Sequence, residues 1–231
     1  MEITHAGIEK NHNNYFGRFA NHRNSGVGSD LSFPLGALQE SVHVFIEAGL
    51  HYMINRDDHP QPLRIFEMGM GTGLNALLTV IEAEKMPVPV HYTTIEPYPL
   101  TGEEWTLLDY GASEGQKGWY KKIQEAPWGT EVPISDFFTL RKEQKELAEF
   151  FPPEPVHLIY YDAFAPKAQP LLWTQEVFEH LHRMVQPGGV LVTYCSKSVV
   201  RRALTAAGFV VQKIPGPKWK REMLRAMRAY E

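Results

Sequence analysis

The sequence predicts a doubly wound, mostly parallel α/β sheet that ends in an antiparallel β-hairpin. Three observations predict it. Short apolar runs alternate with helix-period stretches between residues 63 and 207, the signature of parallel strands joined by helices. A glycine-rich turn, Glu67-Met-Gly-Met-Gly-Thr-Gly-Leu-Asn75, links the first apolar run to the helix that follows it. The last two runs, residues 208–214 and 223–230, are separated only by a short segment containing Pro215-Gly216-Pro217, so they must pair antiparallel.

Residues 1–35 are polar, rich in Asn, His and Gly and without a sustained period; they read as loops and a short strand, an extension packed on a main domain spanning 36–231. From Leu38, the residues Val42, Phe45, Ile46, Leu50, Met53 and Ile54 recur at helical spacing, giving an amphipathic helix closed by the polar stretch 55–62. Residues 63–68 form a strand, and Leu74, Leu77, Leu78 and Ile81 mark a helix. Strands follow at 90–95, 137–142, 156–161 and 189–195, with helical stretches at 103–108, 174–185 and 198–207.

The chain has 231 residues, 43% hydrophobic and 22% charged, the balance of a globular protein that buries a core without crosslinks. Cys195 is the one cysteine, which excludes an internal disulfide framework and fits a reducing compartment. No apolar run reaches the roughly 18 residues of a membrane span, and the N-terminus lacks the pattern of a signal peptide; the expectation is a cytoplasmic protein. The net charge is −4, but residues 183–231 hold ten Lys/Arg against Glu222 and Glu231, a net +8, so the rest carries −12. A basic pole on an acidic body fits a polyanionic partner.

The chemistry-bearing residues fall at the ends of the strands. Gly69, Gly71 and Gly73 permit a tight turn and close approach of a ligand to backbone N–H groups at a helix N-terminus. The dinucleotide fingerprint would need glycine where Leu74 stands, and Glu67 would repel a pyrophosphate while favouring a cationic ligand group. These two features count against a nicotinamide dehydrogenase. Glu96 ends the second strand, 25 residues after Gly71, where a carboxylate can accept hydrogen bonds from both ribose hydroxyls. Asp162-Ala-Phe-Ala-Pro166 follows the strand at 156–161 and shares that rim; an acid, an aromatic and a stiffened loop suit gripping a nucleophile and a flat base. His180 and His182 lie two apart on a helix and point two ways, so they form no metal site. Cys195 reads as a small core residue.

From about Gly36 to the C-terminus, roughly 85% of the chain, the sequence resembles the methyltransferase domain family of the tRNA-modifying enzyme MnmC and its stand-alone MnmD-type versions. The matching stretches are Gly36-Ala-Leu-Gln-Glu-Ser41, the glycine turn, Asp162-Ala-Phe-Ala-Pro166 with Trp173-Thr174, Gln186-Pro-Gly-Gly189 and Lys220-Arg-Glu-Met223. The glycine turn is common to all class I methyltransferases; Asp-Ala-Phe-Ala-Pro with Lys-Arg-Glu-Met is far more specific.

The resemblance implies a class I methyltransferase, Rossmann-like sheet of seven strands with S-adenosylmethionine as methyl donor and no metal. It implies methylation of the aminomethyl nitrogen of a wobble 5-aminomethyl-2-thiouridine, with the anticodon region of tRNA as partner. A flavin-dependent oxidase domain has no room here, so no FAD is expected. Glu67, Gly69, Gly71, Gly73, Asn75 and Glu96 would hold the cofactor. Glu146, or Gln144 beside it, would meet the adenine amine. Asp162 would orient the amine and accept its proton, and Phe164 would pack on the uracil. Glu40, Lys218, Lys220 and Arg221 would bind substrate, the basic residues together with Trp219 through tRNA phosphates. An aminopropyltransferase-like alkylation of a small amine is the alternative, and it has no need of the basic pole.

Overall fold

The computed structural model describes residues 35–108, 110–218 and 220–230; the extension expected over residues 1–35 lies, but for Leu35, outside them. The first helix, α1, runs continuously through Leu35–Ser41, a π-type stretch Val42–His51 and a last turn Tyr52–Ile54. The strands are β1 Leu63–Met68, β2 Val90–Ile95, β3 Glu131–Ser135, β4 Phe138–Glu143, β5 Val156–Tyr161, β6 Val185–Thr193, β7 Phe209–Pro215 and β8 Glu222–Arg228. The other α-helices are α2 Leu74–Lys85, α3 Gly102–Trp105, α4 Glu114–Glu125, α5 Gln175–Met184 and α6 Ser198–Ala206.

The strands form one sheet in the order β3-β4-β2-β1-β5-β6-β8-β7. The five central strands are parallel, β8 runs antiparallel between β6 and β7, and β3 pairs antiparallel with β4 at the other edge. Among the described residues the sheet therefore has eight strands rather than seven. The added strand, β3, carries Pro133 and is largely exposed; without an apolar run it has no strand signal, and an edge is where proline is tolerated. Helix α4 is the other element the sequence reading lacks. Gly115 and Gly118 weaken its propensity, and only Tyr120 and Ile123 are buried. Its start is nevertheless marked by Ser113, whose hydroxyl accepts from the Gln116 N–H at 3.3 Å.

Every residue of β5 is buried, as expected for a central strand covered on both faces. Leu158 and Tyr160 join the apolar layer beneath α1 and α2, while Ile159 and Tyr161 join the layer beneath α5. On the first face the rings of Phe45, Tyr160, Tyr92 and Phe138 succeed one another at centroid distances of 5.1, 6.0 and 5.3 Å, each pair contributing about 0.5–1.5 kcal/mol beyond its burial. Helix α1 lies close enough to the sheet because residue 49 is glycine: a Cβ there would meet Val192 Cγ2 at 3.1 Å and Tyr160 Cε1 at 3.3 Å. Among the described residues no helix is long and apolar enough to cross a membrane.

This packing makes Gly49→Leu a test of the α1–sheet contact. Overfilling it should lower the unfolding free energy by at least about 2 kcal/mol, read by urea denaturation; an unchanged midpoint would show that α1 does not depend on this close approach.

Candidate active site

The register brings the strand ends to one rim. Met68 pairs with Ile95 and with Tyr161, and Ile95 pairs with Glu143, so Gly69, Glu96, Gln144 and Asp162 follow directly on four adjacent parallel strands. That is the edge where open α/β sheets bind ligands.

The glycine turn is built as the sequence suggests. Gly69, Gly71 and Gly73 have φ of +87°, +52° and +77°, a region that costs side-chain-bearing residues strain. The N–H groups of Gly69 and Met70 both donate to the Ile95 carbonyl at 3.1 and 3.2 Å. Helix α4 braces the turn from behind: the Tyr120 hydroxyl and Gln124 Nε2 donate to the Thr72 carbonyl at 3.1 and 2.9 Å. A Cβ at Gly73 would sit 2.6 Å from Gln124 Nε2. Lys142, 1% exposed, donates to the Gln124 carbonyl at 2.8 Å and lies 4.8 Å from the Trp128 ring centroid; burial pulls its ammonium down to about 8.

Glu96 accepts from the N–H of Gly71 at 3.1 Å and of Tyr98 at 3.0 Å, which places its carboxylate against the glycine turn. At the end of β4, Glu146 is exposed, with the Tyr98 hydroxyl 3.5 Å from its Oε1, and Gln144 is exposed too. The buried acid there is Glu143, 6% exposed, held by Arg141 Nε at 2.8 Å and Lys145 Nζ at 3.5 Å. The strand runs one residue further than the 137–142 expected from the sequence, and Glu143 is its last residue.

Glu67 and Asp162 form the centre. Glu67 is fully buried; Asn75 Nδ2 donates to its Oε1 at 3.0 Å and the Thr94 hydroxyl to its Oε2 at 2.9 Å. The same Asn75 Nδ2 donates to Asp162 Oδ2 at 3.0 Å, so one amide joins the two carboxylates. Burial raises Glu67 to about 8, with the Asp162 charge adding to the effect and the Asn75 and Thr94 donors opposing it. Burial likewise raises Asp162 to about 7, against the Asn75 donor. Asn75 Oδ1 is buried with no hydrogen-bond partner among the described residues. Asn75 is thus aimed at the acids.

The loop after Asp162 is fixed by its carbonyls. Trp173 Nε1 donates to Phe164 O at 2.7 Å and the Tyr194 hydroxyl donates to Ala163 O at 2.9 Å. Phe164 is 39% exposed. Lys218 and Arg221 are exposed on the β7–β8 turn, while Trp219 lies outside the described residues. Lys220 is half-buried, its ammonium paired with Glu40 and 4.3 Å from the Tyr194 ring centroid. Arg225 and Arg228 are likewise spent inside, on the Tyr52 ring and on the carbonyls of His182 and Val185. Cys195 is a buried residue of the core layer beneath α5. Among the described residues no three His, Cys, Asp or Glu side chains are grouped to hold a metal.

Comparison with known proteins agrees with this geometry. Residues 136–229 match the model of a family described as S-adenosyl-L-methionine-dependent methyltransferase. The solved structure of MNMC2 from Aquifex aeolicus is similar at a TM-score of 0.64 and 21% identity, over 84% of this chain and 62% of that one; this chain thus spans less than two thirds of that relative. Magnesium protoporphyrin IX methyltransferase (ChlM) from Synechocystis PCC 6803, solved with bound SAM, gives 0.52 at 14% identity over 94% of both chains. DesVI from Streptomyces venezuelae gives 0.51 at 10% identity over 99% of this chain and 100% of that one. The fold is that of the class I methyltransferases, and the resemblance to the MnmC-like group holds in fold and, over residues 136–229, in sequence.

A pH test follows from the buried acids. Raised carboxyls keep protons in the folded state that the unfolded chain releases, so their contribution to stability is full below about pH 4 and is lost as pH rises towards about 8. Glu67→Gln, neutral throughout, should gain on the parent protein by about 1 kcal/mol or more between pH 5 and 8.5 in urea denaturation. Parallel stability curves over that range would show that Glu67 titrates in the folded protein as it does in the unfolded chain.

Proposed function

We propose that this protein is an S-adenosylmethionine-dependent methyltransferase that methylates the aminomethyl nitrogen of a wobble 5-aminomethyl-2-thiouridine in tRNA, in the cytoplasm. The observation that carries the reading is the Asp162 carboxylate, raised to about 7 and held by Asn75 at the rim beside the glycine turn. The residues fit the cofactor. The turn leaves open space at Gly69, where a Cβ would meet only Asp162 O at 3.7 Å, Asn75 Oδ1 is an orphaned acceptor, and Glu96 stands at the ribose position.

Gly69, Gly71 and Gly73 would shape the cradle, Glu96 would take the ribose, and Asn75 with the Glu67 carboxylate behind it would face the cofactor's cationic end. When bound, S-adenosylmethionine supplies a methyl group activated on a sulfonium. The chain's own task is to present a neutral amine. A primary alkylammonium titrates near 10, so at neutral pH it must lose a proton before it becomes a nucleophile. A carboxylate near 7, held in place by Asn75, can orient the ammonium and accept that proton. Phe164 would pack on the uracil ring, and the loop carbonyls of Ala163 and Phe164, tied to Tyr194 and Trp173, keep Asp162 from drifting.

The RNA partner is supported by exposed Lys197, Arg201, Arg202, Lys218 and Arg221 on α6, its N-terminal flank and the β7–β8 turn, a set suited to phosphates. Glu146 or the buried Glu143 would face the adenine amine.

The test is transfer of labelled methyl from S-adenosylmethionine to tRNA from cells lacking this methylation, beside fully modified tRNA. Label should appear only on the undermodified tRNA, as the methylaminomethyl nucleoside, and Asp162→Asn should lower the rate by about 10²–10⁴-fold while cofactor affinity holds. Label on small amines and none on tRNA would overturn the substrate in favour of the small-amine alternative; an undiminished Asp162→Asn rate would overturn the role of the acid.

A further inference from the structure

We infer that Lys220 is a positioning residue of the Asp162 site, bracing the loop at 162–166 through Tyr194 and balancing the charge of Glu40, rather than a contact to the RNA backbone. The inference rests on the reading of Asp162 as the proton acceptor and names a residue that sets it. The β7–β8 turn is shaped to deliver this side chain. The Lys220 N–H donates to Pro217 O at 2.7 Å and the Gly216 N–H to Arg221 O at 3.3 Å. A Cβ at residue 216 would collide with the Lys220 carbonyl, so only glycine lets the turn fold this tightly. A second tie fixes the turn to α1, His43 Nε2 lying 2.9 Å from Pro215 O.

Held there, the Lys220 ammonium meets Glu40 of α1 on one side and the Tyr194 ring, 4.3 Å to its centroid, on the other. The Tyr194 hydroxyl donates to the carbonyl of Ala163, the residue next to Asp162. The cation thus reaches the acid in two ways, by its field and through the ring that anchors the loop. Asp162 is faced by Glu67 from β1, Tyr92 from β2, Asn75 from α2, Glu40 from α1, Tyr194 after β6 and Lys220 from the β7–β8 turn. Glu40 and Lys220 act on it with opposite signs, the anion favouring the protonated acid and the cation the carboxylate. A phosphate contact would have none of these partners and would be judged by salt alone.

The experiment reads the Asp162 carboxyl directly, by ¹³C NMR of the aspartate-labelled protein, with its resonance assigned by loss in Asp162→Asn. Lys220→Met should move the titration midpoint up by about half a unit or more, and Glu40→Gln should move it down. Lys220→Arg, which keeps the charge, and Lys218→Ala should leave it in place. Steady-state kinetics with tRNA then separate the roles. Lys218→Ala should flatten the dependence of log kcat/KM on log salt, whereas Lys220→Met should keep that slope and shift the acid limb of the pH profile. An unmoved midpoint, shifts of the same sign in Lys220→Met and Glu40→Gln, or a flattened salt slope in Lys220→Met would overturn the inference. The titration needs no turnover, so it decides the role of Lys220 even if the tRNA reading fails.

Discussion

Two carboxyls that would each be better solvated in water, Glu67 and Asp162, share the one amide of Asn75 at the ends of adjacent strands. Removing a carboxylate from water costs several kcal/mol unless donors replace the solvent, and the donors here include Asn75 for both acids and Thr94 and Tyr92 for Glu67. Burial therefore raises both acids well above their ordinary range. The rest of the rim depends on this constraint. The glycine turn brings α2 and Asn75 into place, β2 supplies Thr94, and β5 ends where Asp162 can reach the same amide.

The acids divide by depth. Glu67 has no exposed surface, so it acts through Asn75. Asp162 keeps part of its surface at the rim and is surrounded by opposed charges from three other elements. That difference suits one carboxyl to face a cofactor's positive charge and the other to manage a substrate proton. Pairs of acids whose surroundings push them towards different tasks are how a site performs proton chemistry near neutral pH.

Much of this was legible in the sequence, for physical reasons. The glycines at 69, 71 and 73 announce a turn because few other residues take positive φ, and the alternation of apolar runs with helical periods announces the parallel sheet. The antiparallel end followed from a loop too short for a helix. What stayed hidden were features set by tertiary neighbours. The exposed strand β3 and the glycine-weakened α4 carry little apolar pattern, yet α4 supplies Tyr120 and Gln124 behind the turn. Asn75 reads as a ligand contact by its place in the motif, but only the fold shows its amide spent on two acids. Lys220 reads as a surface cation in a basic stretch, because nothing local reveals that Glu40, 180 positions earlier, and Tyr194 wait for it.

The most direct test of this account is the proton balance of cofactor binding. Calorimetric titration of S-adenosylmethionine at pH 6.5, in buffers of different ionisation enthalpy, measures how many protons leave as the ligand binds. A cation drawn to acids held neutral by burial should release a substantial fraction of a proton per ligand, and the release should shrink in Glu67→Gln. Binding without proton release would contradict the claim that these carboxyls are kept neutral for a cation to ionise.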